Sequence, residues 1–207
     1  ELYSSRSQRK RKFVSAEKYL QGYDPHPGGR AIALTVRGRP FTLGAWDGPA
    51  LQHGDLGSVR YRLAAWLDER RLVVVGDSGG EETLEIHHAD ASAAPERLED
   101  LPIGRPVGLA PAPGRAAVAL ANHRNELILV DLAARAARVL DRSLHETIHG
   151  VAWSPDGRWL AYGFSNTQQT SIIKLCDVES GETFEVTRPV LRDTSPVTSR
   201  ASTASTR

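Results

Sequence analysis

A basic residue closing a turn recurs at Arg30, Arg71, Arg115 and Arg158, at spacings of 41, 44 and 43 residues. The clearest copy is the stretch 151–161. There a short apolar run ends in Ser154-Pro155-Asp156-Gly157-Arg158, and a second apolar run follows at once. Pro presets φ for a turn, Asp bonds back to its own backbone and Gly accepts φ > 0. The flanking β-branched and aromatic residues then read as two antiparallel strands joined at that corner. Trp66 and Trp153 each stand five residues before their basic residue. Apolar runs follow it at 31–36, 72–75, 116–120 and 159–164.

A second landmark keeps the same register. Asp47, Asp90, Asp131 and Asp177 follow the basic residue by 17, 19, 16 and 19 positions, each after another apolar run. A further turn and a short fourth run come next, as at 182–187 behind Ser180-Gly181. Each copy therefore supplies four short strands. Sheets of this size cannot bury both faces alone and must stack on neighbours. A period near about 40–45 residues with strands and no helices is the signature of a β-propeller. The expected fold is all-β: a partial β-propeller of about four four-stranded antiparallel blades over 22–197, arranged as an open arc. Residues 1–21 are a strand or linker leading into it. Residues 198–207, only Ser, Thr, Ala and Arg, are a disordered tail. A fifth copy starts at Asp193-Thr194-Ser195-Pro196-Val197 and fails, which suggests a truncation. The start at Glu1 and the lack of Met point the same way.

Composition excludes little but is consistent. The net charge is +1, so there is no overall bias toward nucleic acid or a membrane surface. The basic cluster Arg9-Lys10-Arg11-Lys12 reads as a solvated lead-in. No apolar run approaches the roughly 20 residues of a membrane span. Cys176 is the sole cysteine, which rules out an internal disulfide and favours a cytoplasmic setting.

One motif suggests chemistry. His145-Glu146-Thr147-Ile148-His149 has the letters of a zinc-peptidase helix, with two His on one face and a Glu as general base. The repeat argues against it. Residues 131–142 align without a gap on 177–188, which puts 145–149 in a connection between blades. His26, His53, His87, His88 and His123 form no sequence signature, and the stretch 163–167 lacks the last Gly of a nucleophile elbow. Residues 76–80 read as a loop between strands. Trp66, Trp153 and Trp159 are core residues, and Cys176 is a buried small hydrophobe. No catalytic, cofactor-binding or metal-binding residue is assigned, and no cofactor is expected.

The stretch Arg9-Lys10-Arg11-Lys12-Phe13-Val14, the corner at 151–161 and the start at Asp193-Thr194-Ser195-Pro196-Val197 together resemble the seven-bladed propeller of the tricorn peptidase family. The resemblance spans 1–197. It implies part of a large cytoplasmic serine peptidase, homo-oligomeric, whose propeller filters oligopeptides toward a catalytic domain elsewhere in the chain. No family catalytic residue falls on this sequence. The expected partners are peptides and the remaining domains of the parent chain. The connections at 53–57 and 143–149 are candidates for a channel rim. The alternative is an independent propeller that binds protein or peptide. An arc of four blades leaves the outer faces of its first and last blades apolar and bare, so poor solubility is expected.

Overall fold

The computed structural model describes residues 15–55, 57, 59–167 and 170–187. The basic cluster, the failed fifth copy and the tail lie outside them. A 3₁₀ turn at Ala16–Lys18 leads into the first sheet. Blade 1 is β1 (Leu20–Pro25), β2 (Ala31–Val36), β3 (Arg39–Gly44) and β4 (Leu51–Gln52). Blade 2 is β5 (Arg60–Trp66), β6 (Arg71–Ser78), β7 (Glu81–His88) and β8 (Glu96–Leu98). Blade 3 is β9 (Pro106–Pro111), β10 (Ala117–Asn122), β11 (Glu126–Asp131) and β12 (Ala136–Arg142). Blade 4 is β13 (His149–Trp153), β14 (Trp159–Ser165), β15 (Ser171–Asp177) and β16 (Thr183–Glu185). Each sheet is an antiparallel meander in chain order, and the first strands β1, β5, β9 and β13 lie against one another in succession. The all-β propeller expectation holds.

Hydrogen bonds show why the corners recur. Ser154 Oγ accepts Trp159 N at 2.9 Å, and Asp156 Oδ1 accepts Arg158 N at 3.1 Å. Gly157 adopts φ 70°, and a Cβ there would lie 3.0 Å from Pro113 O on the neighbouring corner. The two sequence landmarks meet directly in blade 4, where Arg158 Nη2 donates to Asp177 Oδ2 at 2.8 Å. Asp131 and Asp177 also cap their own turns, accepting Ala133 N and Glu179 N at 2.9 Å.

The backbone refines the sequence register. Equivalent bonds run from Ala45 N to Arg30 O, Ala89 N to Arg70 O, Leu132 N to Ala116 O and Val178 N to Arg158 O. Arg70 and Ala116 are therefore the true counterparts of Arg30 and Arg158, one residue from Arg71 and Arg115. Asp131 and Asp177 end their strands opposite Ala117 and Trp159, whereas Asp47 and Asp90 fall in the turns beyond β3 and β7. Turn length differs between copies, and a side-chain landmark slides where the ladder does not.

Packing follows the two-residue period of each strand. Leu72 and Val74 face blade 1, while Val73 and Val75 face blade 3. Val118, Leu120, Ile128 and Val130 face blade 2; Ala117, Ala119, Ala121, Leu127 and Leu129 face Leu160, Tyr162 and Cys176 of blade 4. Cys176 is buried, as expected. Trp66 and Trp153 pack against these cores and add a hook across the joint. Trp66 Nε1 donates to Asp24 O of blade 1 at 3.0 Å, and Trp153 Nε1 to Ala110 O of blade 3 at 2.8 Å. The equivalent places in blades 1 and 3 are Pro25 and Pro111, so the blades alternate in kind.

The outward faces of the end blades are apolar and incompletely covered. Blade 1 presents half-buried Ile32, Leu34 and Phe41, with Leu43 36% and Tyr23 69% exposed. Blade 4 presents half-buried Trp159, Ala161, Ile173 and Leu175, with Phe184 46% exposed. Leu120, fully buried in the joint between blades 2 and 3, gives a direct test of stacking. Leu120→Ala is expected to lower unfolding free energy by about 2–5 kcal/mol in urea titrations. Leu144→Ala, at an 85% exposed connector position, should stay within about 0.5 kcal/mol of the parent.

Candidate functional site

The first strands have no ladder partner on their outer edge among the described residues, so their backbone groups line the axial side of the arc. Each also bulges. The ladder to the second strand breaks between Leu20 and Gly22, Arg62 and Ala65, Pro106 and Gly108, and His149 and Ala152. Blades 2 and 4 put a left-handed residue in the bulge, Leu63 at φ 52° and Gly150 at φ 62°. A leucine held there stores about 1–2 kcal/mol of strain, and such strain gathers at functional positions.

A cavity of about 360 Å³ opens at this level between β1 and β5 and reaches Leu109 of β9. Gly22, Tyr23, Leu63, Ala64, Ala65 and Leu109 supply most of its wall. Its charged groups are already matched. Asp24 Oδ2 accepts Trp66 N at 2.7 Å, Arg62 Nε donates to Glu82 Oε1 at 3.0 Å, and Arg62 Nη2 donates to Pro106 O at 2.7 Å. Thr35 Oγ1 accepts Ala64 N at 3.4 Å. The cavity thus offers apolar side-chain contact beside strand edges whose backbone groups are partly taken up by interblade hydrogen bonds, and no activated nucleophile. A larger recess of about 680 Å³ is formed by residues 68–71 and 88–90 at the corners of blade 2. Its charges are largely spent on structure: Asp68 pairs with Arg71 at 2.7 Å.

A buried polar cluster sits between blades 1 and 2, and the repeat pattern gave no sign of it. Glu85 is fully buried, accepting Arg97 Nε at 3.0 Å and His87 Nε2 at 3.1 Å. Burial alone would raise the Glu85 carboxyl. The His87 hydrogen bond and the Arg97 charge more than offset it and hold the group below the usual carboxylate range. Thr42 donates its hydroxyl to Ala89 O at 3.1 Å, so it accepts from His53 Nε2 at 2.8 Å. The His53 tautomer is fixed by that order. A Thr–His pair at this distance looks nucleophilic, but the hydroxyl proton is committed to a backbone carbonyl of the next blade.

These positions revise the proposed rim. His53 is 3% exposed and turned into the blade joint, with Gly54 under the Tyr61 ring. At 143–149, Ser143 and Ile148 are buried, and His145 and His149 are exposed. Ser143 Oγ donates to Ser165 O at 3.1 Å and accepts His145 N at 3.3 Å, which winds a turn, and β13 begins at His149. The two His therefore share no helix face. Alternating apolar positions marked the joints in the sequence, but a bulge and an interblade polar cluster depend on which residues oppose each other across sheets. Only the Trp/Pro alternation at 25, 66, 111 and 153 was available as a signal.

With this geometry in place, the comparisons decide the family. The profile of the Tricorn protease second beta propeller domain matches residues 20–202. The chain belongs to this family. A tricorn protease homolog of Saccharolobus solfataricus is 30% identical over 204 residues, covering 94% of this chain and 17% of the relative. Tricorn protease homolog 1 of Streptomyces coelicolor is 30% identical over 189 residues, covering 88% of this chain and 18% of the relative. The chain thus spans less than a fifth of either protein. Among solved structures, the tricorn protease superposes with a TM-score of 0.74 at 21% identity, over 86% of this chain and 17% of that one. TolB from Acinetobacter baumannii gives 0.59 at 15% identity, over 84% and 45%. These structural likenesses support the propeller fold alone. Among the described residues, no helix is long and apolar enough to cross a membrane.

His53 makes the blade 1–2 joint sensitive to acid. Burial first, then the nearby His87, pushes it from 6.5 down to about 4, with Asp90 opposing weakly. A His depressed in the folded state contributes fully above its unfolded pKa. The His53 contribution to stability should therefore fall as pH drops from 6.5 toward 4, a loss of up to about 3 kcal/mol for this group, and carboxylates held below their usual range, such as Glu85, add a further loss at lower pH. Denaturant titrations across that range should show the slope, and His53→Gln, which keeps a donor for Thr42 without titrating, should flatten it.

Proposed function

We propose that this chain is a non-catalytic propeller segment of a tricorn-type cytoplasmic serine peptidase, and that its axial face guides extended oligopeptides toward a catalytic centre elsewhere in a longer, oligomeric protein. On this reading residues 1–21 lead in, 22–197 form blades, and 198–207 are a tail. The observation that carries it is the axial cavity at the bulges of β1, β5 and β9. An extended chain fits along the axial strands, and apolar walls accept its side chains without regard to sequence. A folded domain presents neither. The matched charges of Asp24 and Arg62 suit breadth of selection rather than one charged anchor.

An independent binding propeller is the less favoured reading. The bare faces of blades 1 and 4 are apolar over several strands, which suits a segment flanked by further structure rather than a finished module.

Fluorescence anisotropy with labelled unstructured oligopeptides tests the proposal. Weak, sequence-tolerant binding is expected, reduced about tenfold or more by Leu109→Asp, which puts a charge in the cavity wall. Equal binding of a folded domain, or indifference to Leu109→Asp, would contradict it.

A further inference from the structure

We propose that the axial cavity is a socket for one large apolar side chain, leucine or phenylalanine in size, and that Gly22, Ala64 and Leu63 set the size it takes. The proposal rests on the peptide-guiding reading for its occupant and narrows that reading. A chain of any sequence can pass, and it is held longest where it places such a residue.

The first strands show how the socket arises. Pro25, Trp66, Pro111 and Trp153 share one place in the repeat. Three residues before that place stand Gly22, Leu63, Gly108 and Gly150; two before it stand Tyr23, Ala64, Leu109 and Val151. The earlier residue faces the next blade and the later one the preceding blade. Leu63 and Leu109 both pack on the core of joint 2–3, Ala64 belongs to the core of joint 1–2, and Val151 packs on that of joint 3–4. A pair drawn from two blades therefore stands at the axial end of each joint. The pair is Gly22 with Ala64 in joint 1–2, Leu63 with Leu109 in joint 2–3, and Gly108 with Val151 in joint 3–4. Joint 1–2 has the smallest pair, and the cavity of about 360 Å³ opens there. A Cβ on Gly22 would meet nothing within 4 Å.

Leu63 and Leu109 form the far wall of the cavity. The three counterparts of Leu63 are glycine, and one of them, Gly150, shares its left-handed backbone, φ 62° against 52°. Glycine adopts that conformation without steric cost and leucine does not. A leucine kept there points to a use for its side chain, which is to close joint 2–3 and end the cavity. The polar groups of the wall are already engaged: Asp24 with Trp66 N, Arg62 with Glu82 and Pro106 O, Thr35 with Ala64 N. A charged occupant would go unmatched there, whereas an apolar one gains from leaving water.

Leucine-methyl NMR with millimolar N-acetylphenylalanine amide tests the socket without any peptide. The probe should move the methyl resonances of Leu63 and Leu109, and N-acetylalanine amide should not. Gly22→Leu, which fills joint 1–2 as Leu63 fills joint 2–3, should abolish the response; Gly108→Leu, the same change two blades on, should keep it. Fluorescence anisotropy then uses a labelled Gly/Ser oligopeptide with one guest residue. A phenylalanine or leucine guest should bind about tenfold more tightly than an alanine guest. Leu63→Gly relieves the strained backbone and enlarges the socket, so it should melt cooperatively and shift the preference several-fold toward a tryptophan guest. It serves as the test if Gly22→Leu does not fold. Absence of methyl shifts with the phenylalanine probe, or shifts that survive Gly22→Leu, overturns the proposal. Peptide binding that responds to Leu109→Asp but not to the guest residue also overturns it and leaves the guiding reading standing. Phenylalanine amide that binds and is blocked by Gly22→Leu, with no binding of any oligopeptide, supports the socket and contradicts the guiding reading.

Discussion

Each sheet of this protein has two apolar faces, and only a neighbouring sheet can cover either. The hydrophobic effect scales with the area removed from water, at about 25 cal/mol per Å². A single four-stranded meander has no interior, so that gain appears only when blades stack. The rest of the structure follows. Strand alternation divides Val73 and Val75 from Leu72 and Val74, the first pair facing blade 3 and the second blade 1. Corners must be tight so that successive blades lie close, which is why Gly157 approaches Pro113 O and why Arg115 reaches across to Gly157 O at 3.0 Å.

The joints are not equivalent, and the differences have physical content. Between blades 2 and 3 the buried core is aliphatic, with Arg62 donating to Pro106 O and Arg135 pairing with Glu96 across the joint. Between blades 3 and 4, Lys174 Nζ meets Asp141 Oδ2 at 2.6 Å, and Tyr162 OH donates to the same oxygen at 2.7 Å. Between blades 1 and 2, Glu85 bonds to Arg97 and His87, Thr42 bonds to His53, and the His53 and His87 rings meet edge to face at 6.1 Å. Breaking one of these bonds leaves a buried partner unsatisfied, which costs more than the bond itself contributes. Directional polar bonds across a joint fix one alignment of neighbouring blades.

Much of this was legible in the sequence. The period, the Pro-Asp-Gly-Arg corner at 155–158 and the Asp that ends β11 and β15 are local signals, because each serves a turn within one blade. The same regularity correctly removed His145 and His149 from a metal-binding helix by assigning them to a connector. The one-residue slide at Arg71 and Arg115, the alternation of blades and the Glu85 cluster were not legible as structure. They depend on contacts between residues about one blade apart in sequence, and a Thr, a His or a Glu in a strand looks the same whether it faces water or another sheet. Trp66 and Trp153 were read as core residues; they are that, and their indole donors also tie each even blade to the odd blade before it.

Amide hydrogen exchange under native conditions tests the stacking most directly. Strands covered on both faces should open only with the whole fold, and strands at the ends of the arc should open locally. The slowest amides should therefore lie in β6, β7, β10 and β11, with β2, β3, β14 and β15 exchanging faster although their ladders are as complete. Equal protection across the four sheets, or slowest exchange in the end blades, would contradict an arc of mutually supporting blades.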